Sequence, residues 1–414
     1  MELTKTKFKQ TELGVIPEDW DILTFDEIAD SKKKWSITGG PFGSDLKTSD
    51  YTNSGIQVIQ LQNIGDGKFI DESQVFVSIV KANKLLSANI YANEIILSKM
   101  GDPVARACFM PEKAERYVMA SDGIRLVVNE KKFSKKFVHD YINSDFFRIR
   151  AFEISTGSTR LRIGLPNLKS LLVICPPLPE QKAIAQVLSD TDNLIQAIEQ
   201  KLTKKRAIKQ GAMQQLLTPK KDWAVKKLGE VSTMSSGGTP SSKIAEYYNG
   251  NILWVSISDI TKAGKFINDS AKKITEKGLL NSSAKIFSKN TVLLAMYASI
   301  GKCCIATEEV STSQAILGIE VKKQLLNEYL YYFLLFNGEA LASQGQQGTQ
   351  SNLNKGMVEN LDLPLPKYEE QTQIVTILSD MDAEITQLEQ KLSKYKLLKQ
   401  GLMQNLLTGK FRLV

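Results

Sequence analysis

Few side chains in this 414-residue sequence could do covalent chemistry. His139 is the single histidine, so a multi-histidine metal site is excluded, and it is the only candidate base for a serine or cysteine triad. It lies beside aromatics in residues 137–141, a stretch expected to be helical, which favours a partly buried structural role. The four cysteines are Cys108, Cys175 and the adjacent Cys303 and Cys304. None belongs to a C-x-x-C pair, and free thiols in packed strands are expected. There is no G-x-x-x-x-G-K-[ST] phosphate loop and no G-x-G-x-x-G after a strand. The nearest approach, Ser299-Ile300-Gly301-Lys302, lacks the first glycine and the hydroxyl after the lysine. This inventory argues for binding rather than catalysis.

The elements that would carry such binding are duplicated. Residues 180–218 and 370–408 align at a constant offset of 190, and 21 of the 39 positions are identical. Each copy follows prolines, opens with glutamate and concentrates its lysines in its second half, the order that the helix dipole favours. Alternating three- and four-residue spacing in the first copy selects Ile184, Leu188, Thr191, Ile195, Ile198, Leu202, Lys205, Lys209, Ala212 and Leu216, seven of ten apolar. In the second it selects Ile374, Leu378, Met381, Ile385, Leu388, Leu392, Tyr395, Lys399, Leu402 and Leu406, nine of ten apolar. This is a coiled-coil seam, and two copies in one chain are natural partners; two amphipathic helices lying separately on their own domains is the alternative. Gly211 and Gly401 share one repeat position inside these helices, for which close approach of a neighbouring backbone and a local kink are both open readings.

The segments preceding the helices are related more faintly. Both open on Asp-Trp (Asp19-Trp20 and Asp222-Trp223) and pass through a glycine loop (Gly39-Gly40-Pro41 and Gly237-Gly238-Thr239-Pro240). Strand-like runs follow at 56–64 and 252–260, then turns at 101–106 and 298–302, then a late polar glycine loop. Short alternating strands with helices between them indicate α+β domains. The expected layout is a first head at 1–179, a helix at 180–218, a second head at 219–367, and a second helix with a C-terminal tail at 368–414.

Charge is modest but uneven. The net +8 divides as +2 for residues 1–179, +4 for 180–221, +2 for 222–367 and 0 for 368–414. Nine positive charges fall in residues 201–227 against Asp222 alone. Such a patch could neutralise phosphates, or it could be a solvated helix end. No window approaches the ~18 consecutive apolar residues that a membrane helix needs, and residues 1–10 are polar, so a cytoplasmic chain without membrane contact is expected.

Two divergent α+β heads, each followed by a copy of nearly the same helix, resemble the specificity subunit of type I restriction–modification systems. The resemblance covers essentially the whole chain. Its carriers are Pro176-Pro177-Leu178-Pro179-Glu180-Gln181, Pro364-Leu365-Pro366 before Glu370-Gln371, and the paired Lys-Gln-Gly-x-Met-Gln-x-Leu-Leu-Thr endings at 209–218 and 399–408. The openings Gly14-Val15-Ile16-Pro17-Glu18-Asp19-Trp20 and Lys220-Lys221-Asp222-Trp223 add to it. The resemblance implies two similar α/β target-recognition domains separated by two long helices that pair as an antiparallel coiled coil, with pseudo-twofold symmetry. Each head would read one half of an asymmetric, bipartite site on double-stranded DNA. The implied partners are two methyltransferase subunits and translocase–endonuclease subunits. S-adenosylmethionine, ATP and Mg2+ would belong to those partners, and this chain would hold no cofactor or metal and perform no catalysis.

Under that resemblance, base reading calls for amides and arginines on loops, and phosphate contact for glycines, hydroxyls and lysines. In the first head the leading candidates are Gly157, Ser158, Thr159, Arg160 and Arg162; Gly39, Gly40, Ser44 and Lys47 follow, then Gln60, Gln62 and Asn63. In the second head they are Gln346, Gln347, Gly348, Thr349, Gln350, Asn352 and Lys355; then Gly237, Gly238, Thr239 and Lys243; then Tyr297, Ser299 and Lys302. Two other functions stay open at this point: a scaffold whose helices dimerise it and whose heads bind protein, and a standalone nuclease or methyltransferase, against which the missing motifs weigh.

Overall fold

The computed structural model of the chain describes residues 7–344 and 352–413. They form two compact units, residues 1–199 with 391–414 and residues 200–390. Both unit boundaries fall inside the two long helices, α1 (Leu178–Leu217) and α2 (Tyr368–Leu406). Each unit is therefore one head plus half of each helix.

In the first unit an antiparallel sheet runs in the order Ala107–Phe109, Ile95–Ser98, Gly123–Leu126, Ile37–Gly39. Its inner strand Ile95–Ser98 is buried along its whole length, which explains its run of apolar residues without alternation. A five-stranded sheet contains the parallel pair Ile56–Ile59 and Arg116–Met119. A third strand pair joins Asp21–Thr24 to Leu172–Cys175. The helices Lys135–Ile142 and Asp145–Glu153 start on serines, Ser134 and Ser144, whose side chains accept from Phe137 N and Phe147 N.

The second unit repeats this plan. Ser232–Ser236, Ile316–Val321, Val292–Ala295 and Cys303–Ala306 pair in the corresponding order. Tyr248–Val255 runs parallel to Val310–Thr312, and Ala224–Lys227 pairs with Asp362–Leu365. Asn93 and Asn290 both adopt left-handed backbone just before the equivalent strands Ile95–Ser98 and Val292–Ala295, a conformation that asparagine tolerates. The heads' kinship, faint in sequence, is plain in topology.

Two details differ from the sequence reading. The runs 56–64 and 252–260 are not single strands. Each breaks after its first part, at Ile59 and Val255, because Asn63 Oδ1 and Asp259 Oδ2 accept from Gln60 N and Ser256 N and turn the backbone into a short helix. The helices also begin two residues earlier than their duplicated stretches. Pro179 is accommodated in the first turn of α1, where a backbone donor would have no partner anyway.

Within each unit the two helix segments run antiparallel. In the first, Asp192 meets Lys399 at 2.6 Å and Glu199 meets Lys396 at 2.7 Å. In the second, Arg206 meets Glu389 at 2.6 Å, and Lys205 and Lys209 pair with Glu384 and Asp382. Along the seam Ile184, Leu188, Ile198, Leu202, Ile374, Leu378 and Leu406 are buried, and Ile195, Leu216, Ile385, Leu388 and Leu392 are half-buried. Lys205 and Lys209, the charged seam positions of α1, end on α2 carboxylates rather than apolar partners. Helix ends complete the head cores: Ile184 and Leu188 join Leu406 and Leu407 beside Trp20, Phe25 and Phe147. Met213 and Leu217 join Ile374 and Leu378 beside Trp223 and Tyr329. A side chain built on Gly211 or Gly401 would meet nothing within 4 Å, so close backbone approach is not what keeps these glycines, and the structure offers no other account of them.

Candidate nucleic-acid interface

The first head gathers its candidate loops around one tight turn, Ala120-Ser121-Asp122-Gly123, closed by Gly123 N donating to Ala120 O at 3.1 Å. Ala120 N donates to Ile59 O, which brings the Gln60 end of its strand alongside. Gly40 N donates to Gly123 O at 2.8 Å, and a Cβ on Gly40 would lie 1.8 Å from the Ala120 carbonyl oxygen. Only glycine lets the 39–44 loop enter here. Lys99 N donates to Asp122 O, and Ile163 N donates to Lys99 O, tying the 99–106 and 155–163 loops to the same turn.

The late loop is a small hairpin. Thr156 and Arg162 exchange two backbone hydrogen bonds of 2.9 Å, and Gly157 takes φ +117° where a Cβ would strike the Arg160 carbonyl. Ser158, Thr159 and Arg160 are exposed at its tip. The Arg162 guanidinium rests 3.2 Å from Asp122 and stays 49% exposed, available to a stronger anion. Among the described residues the Arg160 side chain has no ion-pair partner. Ser44 and Lys47 are exposed on the incoming loop, and Gln60 and Gln62 bond each other at 3.1 Å.

Asn63 does not belong to this surface. It is fully buried, with Oδ1 accepting from Gln60 N and Nδ2 donating to Ile70 O and Ser73 O at 2.9 Å each. Its amide is spent on the fold and corrects the reading of Asn63 as a base contact. Gly40 acts through backbone packing rather than as an open phosphate cradle, since its donor is occupied and a Cβ there would meet Ala120, whereas Gly39 faces open space.

The second head repeats the convergence. Met296 N donates to Ala315 O and Leu353 N donates to Met296 O, each at 3.0 Å, the counterparts of Lys99 with Asp122 and Ile163 with Lys99. Gly237 and Gly238 are buried: their donors bond Ile316 O and Thr312 O, and a Cβ on either would clash with residues 312–313 or 283–284. They are packing glycines, which corrects their assignment as contact residues. Thr239 is exposed and bonds the Gln314 side chain, and Lys243 is exposed without an ion pair among the described residues. Tyr297, Ser299 and Lys302 are exposed on a turn whose left-handed residues are Ala298, Ser299 and Gly301. Lys355 pairs with Glu359 along its own helix at 3.4 Å. Asn352 is half-buried with its Oδ1 unpartnered among the described residues. Gln346, Gln347, Gly348, Thr349 and Gln350 lie outside the described residues.

Reasoning from sequence missed Lys99, Asp122 and Gln314. The Asp122-Gly123 pair was a readable turn signal, but its role as the shared anchor of four loops depends on contacts distant in sequence. His139 is buried: Nδ1 lies 3.0 Å from Asp140 Oδ1, and the ring stacks on Phe109 at 4.4 Å. All four cysteines are buried, and burial pushes Cys108, Cys175 and Cys304 up to about 12, far from nucleophilic range. Among the described residues no cluster could hold a metal ion, and no helix is long and apolar enough to cross a membrane.

Each head is fastened to the helices by one motif used twice. Trp20 Nε1 donates to Glu180 and Trp223 Nε1 to Glu370; Gln181 bonds Ser134 N and Pro176 O, and Gln371 bonds Leu326 N and Pro366 O. A cleft of about 1220 Å3 in the first unit is lined by the head, by Ile195 and Glu199 of α1 and by Lys396 and Lys399 of α2.

The profile of the type I restriction modification DNA specificity domain matches residues 17–206 and again 220–395. The chain is 35% identical over 165 residues to the type I restriction enzyme MjaIX specificity subunit of Methanocaldococcus jannaschii, an alignment covering 39% of this chain and 38% of that relative. It is 25% identical over 280 residues to the Escherichia coli EcoR124I/EcoR124II specificity subunit, covering 63% and 67%. A solved structure described as addressing complex assembly and conformational transition of the type I R-M system superposes with a TM-score of 0.64 at 16% identity over 96% of this chain and 99% of that one. With two matched domains spanning most of its length, each built as a head on a shared helix pair, the chain belongs to the type I restriction–modification DNA specificity family.

Proposed function

We propose that this chain is the DNA-reading subunit of a type I restriction–modification complex. Each head reads one half of an asymmetric bipartite site, and the helix pair sets the gap between the halves. The observation that carries the reading is a loop edge built twice on one topology, with different side chains on each copy. One edge presents Arg160, Arg162 and Gln62, the other Tyr297, Lys243 and Thr239. Similar scaffolds with unlike contact residues are what two different half-sites require.

The chemistry falls to partners. Two methyltransferase subunits dock on the helix pair and heads, where the first unit's cleft supplies one surface, and translocase–endonuclease subunits complete the assembly. S-adenosylmethionine, ATP and Mg2+ act on those subunits, and this chain supplies address without catalysis. The test is methylation sequencing of cells carrying the methyltransferase gene with and without this chain. A bipartite methylated motif that appears only with the chain supports the reading; methylation independent of the chain sinks it.

A further inference from the structure

Phe42 stands out on the first head. It is 82% exposed, on a loop whose neighbours are chosen for stiffness and clearance. Pro41 precedes it and limits the backbone. Asp45 N donates to Phe42 O at 2.9 Å, closing a turn that begins at Phe42 itself. Gly43 beside it faces open space, and Gly40 anchors the stem against Ala120 with no room for a Cβ. The fold gains nothing from burying this ring, yet it holds the loop that displays it. The same turn, residues 120–123, seats Arg162 through Asp122, so the loop that carries the ring and the hairpin that carries Arg160 and Arg162, side chains suited to phosphate or guanine, are anchored on one turn.

We propose that Phe42 is an apolar wedge that enters one base step of the half-site read by the first head and partly unstacks it, while Arg160 and Arg162 hold the backbone alongside. This rests on the reading of the heads as DNA readers and adds how one of them senses sequence: through the ease with which a step opens, besides hydrogen bonds to base edges. The second head lacks the device. Its corresponding loop continues from Gly238 through Thr239 and Pro240 to Ser241, Ser242 and Lys243, with no aromatic. The wedge therefore acts on one half-site only, and the other serves as an internal control.

The test uses the full chain assembled with its methyltransferase subunits, and duplexes carrying the methylated site with 2-aminopurine placed at successive positions in both halves. The wild-type complex should raise fluorescence at one step of one half-site away from the methylated adenines, which the methyltransferase subunits unstack by themselves in both halves, and at no such step in the other. Phe42→Ala should abolish that rise and weaken binding about tenfold, within the range that aromatic–base stacking supplies. Phe42→Trp should retain both, and the thermal midpoint of the chain should not move in either variant. A Phe42→Ala complex with unchanged fluorescence and affinity overturns the proposal, as does one that loses its methyltransferase subunits, which would make Phe42 a protein contact. A wild-type complex that binds scrambled duplex as tightly as its target would instead overturn the DNA-reading function itself.

Discussion

The Trp20 indole donates to the Glu180 carboxylate at 3.0 Å, joining the start of the first head to the first turn of α1. Arg412, near the end of the chain, bonds the same carboxylate at 2.6 and 2.7 Å, clasps Asp19 at 2.9 Å and lies over the Trp20 ring. In the second unit Lys220 takes the equivalent place, bonding Glu370 at 2.6 Å over the ring of Trp223. The tail after α2 thus does for the first head what the linker after α1 does for the second.

Glu180 is 2% exposed, so its removal leaves the buried Trp20 indole without its acceptor and the Arg412 guanidinium with Asp19 alone. Glu180→Ala should destabilise the first unit by about 1–3 kcal/mol, the cost of leaving a buried donor unsatisfied. Chemical denaturation followed by tryptophan fluorescence measures it. Glu180→Gln, which retains an acceptor for Trp20, should recover part of the loss.

Among the carboxyls of this unit held below their ordinary value, 3.8 for aspartate, are Asp19, chiefly by its hydrogen bond from Arg412, and Asp66, chiefly by its hydrogen bond from Arg148. A carboxyl lowered in the folded state stabilises fully above its unfolded value and loses that contribution as pH falls through the folded one. Unfolding free energy should therefore be level from neutral pH down to about pH 5 and decline below 3.8. Arg412→Gln should flatten the part of that decline due to Asp19. A titration of thermal midpoint against pH checks both.

Arg160→Ala with Arg162→Ala should weaken DNA binding and leave assembly with the methyltransferase intact. If both contact phosphate, the slope of log affinity against log salt should shrink by roughly two. Gel shift across a salt series reads the slope, and unchanged binding would sink the assignment.

Lengthening α1 and α2 together by seven residues, at the paired stretch near Ile198 and Leu392, preserves the heptad seam. The added rise is about 10 Å at ~1.5 Å per residue. At ~3.4 Å per base pair this should widen the gap in the methylated motif by roughly three base pairs while leaving both half-sites unchanged. Methylation sequencing of the variant gives the answer.

The scarcity of histidine, the 190-residue offset and the alternating apolar seam were enough, from sequence alone, to set the number of heads and of long helices and to argue for binding rather than catalysis, while the pairing of those helices stayed one of two readings. These are local or self-referential signals: composition, period and repetition survive without coordinates. What tertiary structure decided is which polar residue serves the fold and which faces solvent. Asn63 and Gln62 are adjacent amides in one loop, yet Asn63 is locked by three hydrogen bonds while Gln62 is exposed. Gly40, Gly237 and Gly238 look like ligand cradles but are required where two backbones touch. Asp122, unremarked in the sequence, anchors the loops from 20 to 40 residues away, because hydrogen-bond satisfaction is settled by neighbours in space and not along the chain.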